Sequence, residues 1–185
     1  MTQNCNIIID TGNTFHKISV ITPNNNILEE RVVTELTESV VDELFDRFAP
    51  SKAIISSTRG DAARSREIVA KRVQYVLCLD SSTPLPIEVE YDRARLGTDR
   101  VAAAVGAVEL YGADREIVVI DAGTAITIDF VDCGVFKGGN ISPGVDMRLE
   151  ALHEKTATLP LCQPRALDGE SPKLGLSTED AIVFG

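Results

Sequence analysis

The first 34 residues alternate short β-branched runs with polar turns. The run at 7–10, which ends in Asp10, predicts a buried strand, and the runs at 17–21 and 27–34 predict two more. The turn cluster at 23–26, Pro-Asn-Asn-Asn, is short enough to join its two strands as a hairpin. The chain is therefore expected to begin with hairpin-linked, antiparallel strands.

The hydrophobic period changes to that of a helix after residue 40. Apolar side chains follow the i, i+3, i+4, i+7 spacing of one helical face at Val41, Leu44, Phe45 and Phe48. Pro50 ends this helix because it has no N–H group to continue the hydrogen bonding. Three further elements are predicted: a buried strand at 53–56, a helix at 61–72 and a strand at 73–79. The order of this half is therefore β-β-β-α-β-α-β.

A second series of strands follows a helix rich in alanine. This helix begins at the segment Gly97-Thr98-Asp99-Arg100 and ends at Gly112. The next strands are predicted at 116–121, 125–131 and 135–141, the last two joined by a turn at 132–134. Helical patterns follow Pro143-Gly144, and residues 177–185 have the pattern of a helix start. The second half repeats β-β-β without the α-β-α-β completion, so by internal symmetry we expect it to be truncated.

The two halves share one kind of corner. Ile7-Ile8-Ile9-Asp10 is followed by Thr-Gly-Asn-Thr, and Val118-Val119-Ile120-Asp121 is followed by Ala-Gly-Thr-Ala, 111 positions later. Each corner is a β-branched strand, an Asp, a small residue, a Gly and a polar residue. We therefore predict an α/β protein of two duplicated halves, 1–114 and 115–185, whose corners face each other across a cleft as a nucleotide clamp.

These corners have the chemistry to bind phosphate and metal. Gly12 allows the backbone to approach a phosphate closely, and N–H groups of the turn can point at it. Asp10 at the strand end can hold Mg²⁺, directly or through water. Asn13, Thr14 and Lys17 add donors. Either corner alone can also be a plain hairpin turn, but the repetition in register favours the clamp.

The segment from Gly97 to Arg100 is a third candidate, because a helix N-terminus attracts anions. Asp99 can take a proton from a substrate hydroxyl that attacks a γ-phosphate, and Arg100 can bind a substrate carboxylate. The alternative is an N-capping Asp beside a surface Arg, which spacing alone favours. For Tyr91, the residues alone favour a half-buried core tyrosine. The segments 138–140 and 142–144 can each be a tight turn or a loop that lines the cleft.

Composition and charge narrow the class of partner. The chain has 185 residues, 44 % of them hydrophobic and 25 % charged, which is ordinary for a globular protein. Its net charge of −10 disfavours nucleic acid and anionic membranes as partners. We find no signal peptide and no apolar stretch long enough to span a bilayer. The four scattered cysteines are interpreted as reduced thiols, so a cytoplasmic location is expected.

Taken together, the motifs resemble those of type III pantothenate kinases, which belong to the actin/hexokinase/Hsp70-like ATPase superfamily. The matching segments run in the family's order, close to its spacing, at 10–14, 91, 96–100, 121–129, 138–144 and 159–160. The resemblance implies a duplicated ribonuclease H-like (actin-like ATPase) fold. It also implies ATP-dependent phosphorylation of pantothenate to 4′-phosphopantothenate, the first step of coenzyme A synthesis.

The resemblance further implies roles for single residues. The first phosphate loop, which binds ATP, would consist of Asp10, Thr11, Gly12, Asn13, Thr14, Phe15, His16 and Lys17, with Thr124 as a further ATP contact. Asp99 would be the general base, and pantothenate would be held by Tyr91, Gly97, Thr98, Asp99 and Arg100. Asp121 would bind the monovalent cation, K⁺ or NH₄⁺, that this family needs besides Mg²⁺. Thr178 matches a threonine that reaches the pantothenate site of the partner subunit, so a homodimer is implied.

Two other functions stay open at this point. One is a non-enzymatic regulator or scaffold on the same fold, since fold alone does not decide function. Four intact residues argue against it, because a scaffold has no need for all of them: Asp10, Asp99, Arg100 and Asp121. The other is a different enzyme of the superfamily that acts on acetate, a sugar or polyphosphate, which the segment 97–100 disfavours.

Overall fold

The computed structural model describes residues 4–165 and 174–185. The strands are β1 (Asn6–Thr11), β2 (His16–Ile21), β3 (Ile27–Val33), β4 (Lys52–Ser57), β5 (Val76–Cys78), β6 (Glu88–Val89), β7 (Glu116–Ala122), β8 (Ala125–Asp132) and β9 (Val135–Pro143). The helices are α1 (Glu38–Phe48), α2 (Ala62–Ala70), α3 (Thr98–Tyr111), α4 (Val145–Lys155) and α5 (Thr178–Phe184). Within the described ranges, none of these helices is both long and apolar enough to cross a bilayer.

The first sheet has the strand order β3-β2-β1-β4-β5. β1, β2 and β3 are antiparallel because short turns join them, whereas the helical crossovers α1 and α2 make β4 and β5 parallel to β1. Neighbouring parallel strands end at the same edge of the sheet, so Asp10 of β1 is the register partner of Ser56 of β4. The mixed α/β class and the predicted order β-β-β-α-β-α-β are confirmed for this half.

The core of the first sheet follows from strand alternation and one amphipathic helix. Alternate residues of β1 and β2 point to one face and are at most 1 % exposed: Ile7, Ile9, Ile18 and Val20. They form one cluster with the predicted apolar face of α1. The Thr37 hydroxyl caps α1 by accepting a hydrogen bond from the Val40 N–H at 3.3 Å. The helix ends where Ala49 adopts a left-handed conformation, just before Pro50.

The strand β6 is missing from the sequence prediction. Glu88 and Val89 pair in parallel with Val135 and Phe136 of β9, and Val89 packs against a cluster that contains Phe136. A two-residue strand has no period to detect. It becomes a strand only because β9 offers it a hydrogen-bonding edge.

The second sheet has the order β6-β9-β8-β7. The turn predicted at 132–134 is present, and Cys133 and Gly134 have the positive φ angles, 48° and 77°, of a tight hairpin. The turn or loop expected at Gly138-Gly139-Asn140 is wrong, since these residues lie inside β9. A side chain at Gly139 would collide with the backbone of Ile128 and with Asp129, so glycine serves close strand packing here. The segment 142–144 is likewise not a loop: its first two residues end β9, and Gly144 caps α4.

The chain divides into two compact units, residues 1–117 with 131–137, and residues 118–130 with 138–185. The first unit contains the first sheet and the helices α1 to α3. The second contains the outer parts of β7, β8 and β9 together with α4 and α5, whose small core is formed by Leu149, Cys162 and Ile182. The sequence-based division between residues 114 and 115 stays a prediction.

Corresponding strands of the two halves are buried to different degrees. Ile7 and Ile9 are fully buried, yet Val118 and Ile120, which lie 111 positions later, are 57 % and 64 % exposed. Phe130 and Ile128 of β8 also keep about two-fifths of their surface exposed, at 39 % and 43 %. The described part of the second unit therefore leaves open a strand face that α1 covers in the first half.

Candidate active site

The first corner closes β1 onto β2 by a tight turn. The Gly12 N–H donates to the Phe15 carbonyl at 3.0 Å, so the backbone between them folds back on itself. The side chains of Asn13, Thr14 and Phe15 are exposed, and so is that of Lys17 at the start of β2. These exposed positions are the ones from which a side chain can reach a phosphate.

Two residues of the predicted phosphate loop lie inside the protein instead. Thr11 is 0 % exposed and His16 is 5 % exposed, and the Thr11 Oγ1 atom is 3.1 Å from the His16 Nδ1 atom. They face each other across the β1–β2 pair as register partners. Their bond joins the two strands directly beneath the turn, so these side chains can hold the loop in shape.

Burial lowers the pKa of His16 below its ordinary value, and the positive charge of Arg59 acts in the same direction. Asp61 and Glu35 oppose this shift with smaller effects. The imidazole is therefore neutral near pH 7. A neutral ring has one donor and one acceptor nitrogen, which suits a hydrogen bond to a hydroxyl group.

The segment Gly97-Thr98-Asp99-Arg100 forms the N-terminus of α3, as predicted. A Cβ atom at Gly97 would lie 2.5 Å from the Asp99 Oδ1 atom, so a side chain there would displace this carboxylate from its position. The Asp99 Oδ1 atom accepts a hydrogen bond from the Arg100 N–H at 2.8 Å. The positive end of the helix dipole stabilises the ionised carboxylate here.

Thr98 connects the start of α3 to the end of β4. Its Oγ1 atom lies 3.0 Å from the Ser56 Oγ atom and donates to the Ser57 carbonyl at 3.3 Å. Because Ser56 is the register partner of Asp10, this contact brings the helix of Asp99 to the strand edge where the first corner begins.

Arg100 is buried, at 6 % exposure, between two aromatic rings. Its guanidinium carbon lies 5.5 Å from the centre of the Tyr91 ring and 5.7 Å from that of Phe136. The two rings meet edge to face at 6.3 Å. Tyr91 keeps 37 % of its surface exposed, so it is a partly exposed neighbour of Arg100 and not an interior core residue.

The second corner lies in the second unit. Asp121, Ala122, Gly123 and Thr124 are all exposed. The Gly144 N–H donates to the Thr124 carbonyl at 3.0 Å, so the corner packs against the N-terminus of α4. A Cβ atom at Gly144 would collide with the carbonyls of Gly123 and Thr124, which explains the glycine.

Sequence reasoning missed three residues that organise the first corner: Ser56, Ser57 and Thr58. Their signal was visible as a run of hydroxyl side chains at the end of the strand predicted at 53–56. Thr178, by contrast, lies exposed at the first position of α5 in the second unit. The structure brings the first corner, Tyr91 and the segment 97–100 into one unit, and Asp121, Thr124 and Thr178 belong to the other.

Among residues 4–165 and 174–185, no three His, Cys, Asp or Glu side chains cluster closely enough to hold a metal ion by themselves. A metal at either corner would therefore take further ligands from a substrate or from water. Mg²⁺ has this habit, since it is bound by one or two carboxylates together with substrate phosphates. The single carboxylate at each strand end suits such a site.

Comparisons with known proteins point to one family. A family model described as type III pantothenate kinase matches residues 6–185. A type III pantothenate kinase of Porphyromonas gingivalis is 40 % identical, over 97 % of this chain and 73 % of its own length. One of Bacteroides fragilis is 39 % identical over the same shares. A Campylobacter jejuni protein described as a Baf family transcriptional activator has a TM-score of 0.59 at 19 % identity, over 96 % of this chain and 72 % of its own, which shows a likeness of fold.

Proposed function

This chain belongs to the type III pantothenate kinase family, and we propose which of its residues carry out the family's reaction, the phosphorylation of pantothenate in coenzyme A biosynthesis. The enzyme is a phosphotransferase whose substrates are pantothenate and ATP. Kinase chemistry also requires a divalent metal ion, which neutralises phosphate charge. The residue roles below, Mg²⁺ as that ion, the monovalent cation and the homodimer are our proposals.

One observation carries the assignment of the site. Thr98, next to Asp99, contacts Ser56, and Ser56 is the register partner of Asp10. The first unit thus holds a carboxylate at a helix N-terminus close to the edge where the glycine corner begins. Phosphoryl transfer depends mainly on the positioning of the acceptor and the phosphate. The contact between Thr98 and Ser56 fixes the helix of Asp99 against the strand edge of Asp10, so it can position both groups.

Asp99 acts as the general base in this proposal. Its carboxylate accepts the proton of the pantothenate hydroxyl while the hydroxyl oxygen attacks the γ-phosphorus of ATP. The bond from that phosphorus to the ADP oxygen breaks, and ADP leaves with the electron pair. A carboxylate has about four acceptor positions, so the bond from the Arg100 N–H leaves Asp99 able to accept the proton.

Arg100 and Tyr91 hold the other end of pantothenate. Pantothenate carries a carboxylate, and an arginine can bind a carboxylate through two parallel hydrogen bonds. The rings of Tyr91 and Phe136 restrict the Arg100 side chain, so little rotational freedom is lost on binding. A rigid anchor at the carboxylate fixes the distance of the reacting hydroxyl from Asp99.

We assign ATP contacts to each corner within its own unit. In the first unit, Gly12, Asn13, Thr14 and Lys17 contact the phosphates, and Thr11 and His16 support them from beneath. Asp10 would hold Mg²⁺, which would supply the charge neutralisation that the reaction needs. In the second unit, Thr124 and the backbone of its corner are the candidates for a contact to ATP.

Asp121 binds a monovalent cation, K⁺ or NH₄⁺. Its carboxylate is exposed near the end of β7, where it would offer oxygen ligands to such an ion. This acidic chain has no lysine-bearing phosphate loop of the P-loop type, so bound cations are a means of balancing the charge of ATP.

A second copy of the chain completes the site through Thr178. We propose a homodimer in the cytoplasm in which Thr178 of one subunit contacts pantothenate beside Asp99 of the other. Mixing the variants Asp99→Asn and Thr178→Val tests this, because a mixed dimer contains one site with both residues intact. Activity that neither variant has alone would support the shared site. A monomer in sedimentation experiments would contradict it.

The function itself is tested by the transfer of ³²P from γ-labelled ATP to pantothenate by the purified chain, with and without K⁺. We expect product that depends on pantothenate and rises with K⁺. In Asp121→Ala the K⁺ response should vanish, whereas Asp132→Ala at the end of β8 should keep it. An unchanged response in Asp121→Ala would remove that residue as the cation ligand.

Replacing Asp99 by Asn tests the base. A general base typically contributes ~10²–10⁴-fold to the rate, so kcat should fall by that factor with the fold retained. Asp92→Asn is the control, because Asp92 is an exposed carboxylate a short distance before the same helix. A loss of less than about tenfold in Asp99→Asn would show that Asp99 is not the base.

A further inference from the structure

Three consecutive hydroxyl residues at the end of β4, Ser56, Ser57 and Thr58, link that strand to both β1 and α3. The Thr58 N–H and the Thr58 hydroxyl both donate to the Thr11 carbonyl, at 3.0 and 3.2 Å. On the other side, Ser56 and Ser57 meet Thr98. The end of β4 is therefore bonded both to the strand of the first corner and to the helix of Asp99.

The Ser56 and Thr98 hydroxyls are in direct contact, 3.0 Å apart, and either of them can be the donor. The Thr98 hydroxyl also reaches the Ser57 carbonyl as a donor, at 3.3 Å. Ser56 is 8 % exposed, so water cannot easily replace its contact with Thr98. Loss of the Ser56 hydroxyl therefore removes a contact that holds the start of α3 against β4.

We propose that Ser56 is a positioning residue for phosphoryl transfer, which acts through Thr98 to hold Asp99 at a set distance from the corner of Asp10. This inference rests on the proposed roles of Asp10 and Asp99. Ser56 touches neither substrate. Its hydroxyl joins the strand edge that carries the phosphates to the first turn of the helix that carries the base.

The expected effect follows from the sensitivity of such reactions to geometry. A displacement of about 1 Å between reacting groups can cost ~10²-fold in rate. In Ser56→Ala, kcat should therefore fall about 10- to 100-fold, while KM for ATP and for pantothenate stays within about threefold. A purely structural serine would instead lower the thermal midpoint and leave the kcat of the folded protein unchanged.

Ser51→Ala is the matched control. Ser51 lies just before β4, at the end away from the corner, where its hydroxyl and its N–H both donate to the carbonyl of Cys5 just before β1, at 3.2 and 2.8 Å. The substitution removes the same atom from the other end of the strand, remote from the corner and from α3. Its kcat should match that of the parent chain.

A double variant separates positioning of Asp99 from any other effect. If Ser56 acts through Asp99, then Ser56→Ala should reduce kcat no further in an Asp99→Asn background, within about twofold. Losses that multiply instead would overturn the inference. Thr98→Val removes the same link from the helix side with little change of shape. It should reproduce the kcat loss of Ser56→Ala, and normal turnover in it would also overturn the inference.

A second readout needs no turnover. Amide exchange in the peptide 97–101 should quicken in Ser56→Ala and not in Ser51→Ala, because the first turn of α3 loses its tether to β4. Equal exchange in both variants would contradict the proposal. The two proposals fail separately: full activity in Asp99→Asn rejects the base, whereas an inactive Asp99→Asn beside a fully active Ser56→Ala rejects only the positioning role.

Discussion

The duplicated strands offer a matched pair of substitutions, Ile9→Ala in β1 and Ile120→Ala in β7. The two isoleucines lie one residue before the aspartate of their corner, 111 positions apart. Both substitutions lose the same β-branched side chain from a strand, so differences in strand propensity largely cancel. What differs is burial, since Ile9 is 0 % and Ile120 is 64 % exposed.

The difference in burial determines how much unfolding free energy each substitution costs. Truncation of a fully buried isoleucine to alanine costs about 2–5 kcal/mol, the lost transfer free energy plus the cavity. Complete burial of such a side chain is worth about 1.5–3 kcal/mol, so Ile120, with roughly a third of its surface covered, should lose at most about 1 kcal/mol. At about 2–4 °C per kcal/mol for a chain of this length, the midpoint should fall about 4–20 °C in Ile9→Ala and under about 4 °C in Ile120→Ala.

Thermal unfolding followed by circular dichroism measures both. The chain has no tryptophan, and its three tyrosines, Tyr75, Tyr91 and Tyr111, all belong to the first unit. The tyrosine bands of the near-ultraviolet signal therefore report the unit that contains Ile9, and the far-ultraviolet signal reports both units. Equal midpoint losses in the two variants would refute the reasoning, since Ile120 would then be packed as tightly as Ile9.

Two further predictions concern the corners. Because burial holds the pKa of His16 below that of the unfolded chain, the unfolded chain takes up the proton first, so stability is full above pH ~6.5 and falls as the pH drops below it. In His16→Gln the thermal midpoint should fall less steeply as the pH drops, whereas His153→Gln, at the other histidine, should keep the fall of the parent chain. An equal dependence of the midpoint on pH in the parent chain and in His16→Gln would contradict the assignment. Gly144→Ala should raise KM for ATP, because its Cβ atom displaces the carbonyls of the second corner. Gly106→Ala, which has open space at this atom within α3, should leave KM unchanged and stabilise the helix by about 0.5–1 kcal/mol, and an equal KM for both variants would contradict the packing argument.

The elements with a strong local pattern were predictable. β1, β2, β3 and α1 lie within two or three residues of their predicted bounds, because strand alternation and helical spacing are properties of neighbouring residues. The N-terminus of α3 at residue 98 and the hairpin at 132–134 were also correct, since glycine marks both. The family could be identified from the order and spacing of the motifs, and the comparisons confirm it.

Other features depend on partners distant in sequence. β6 is a strand only beside β9, and Gly139 is a packing glycine only because β8 lies against it. The resemblance to the family implies that Thr11 and His16 contact ATP as part of the phosphate loop, but the pairing of β1 with β2 turns them inward. The roles proposed for the site residues themselves stay predictions.

The sequence by itself determined the strand and helix pattern, the two aspartate–glycine corners and the kinase family. Each of these depends on residue types in a characteristic order and spacing along the chain. Only the tertiary structure decided that Ser56 meets Thr98, 42 residues away, and that Ile9 is buried while its repeat partner Ile120 is exposed. These facts depend on which strand edge a helix start reaches and on which face another element covers. Identical local patterns are compatible with a buried or an exposed side chain, so the packing of the whole chain decides which of the two occurs.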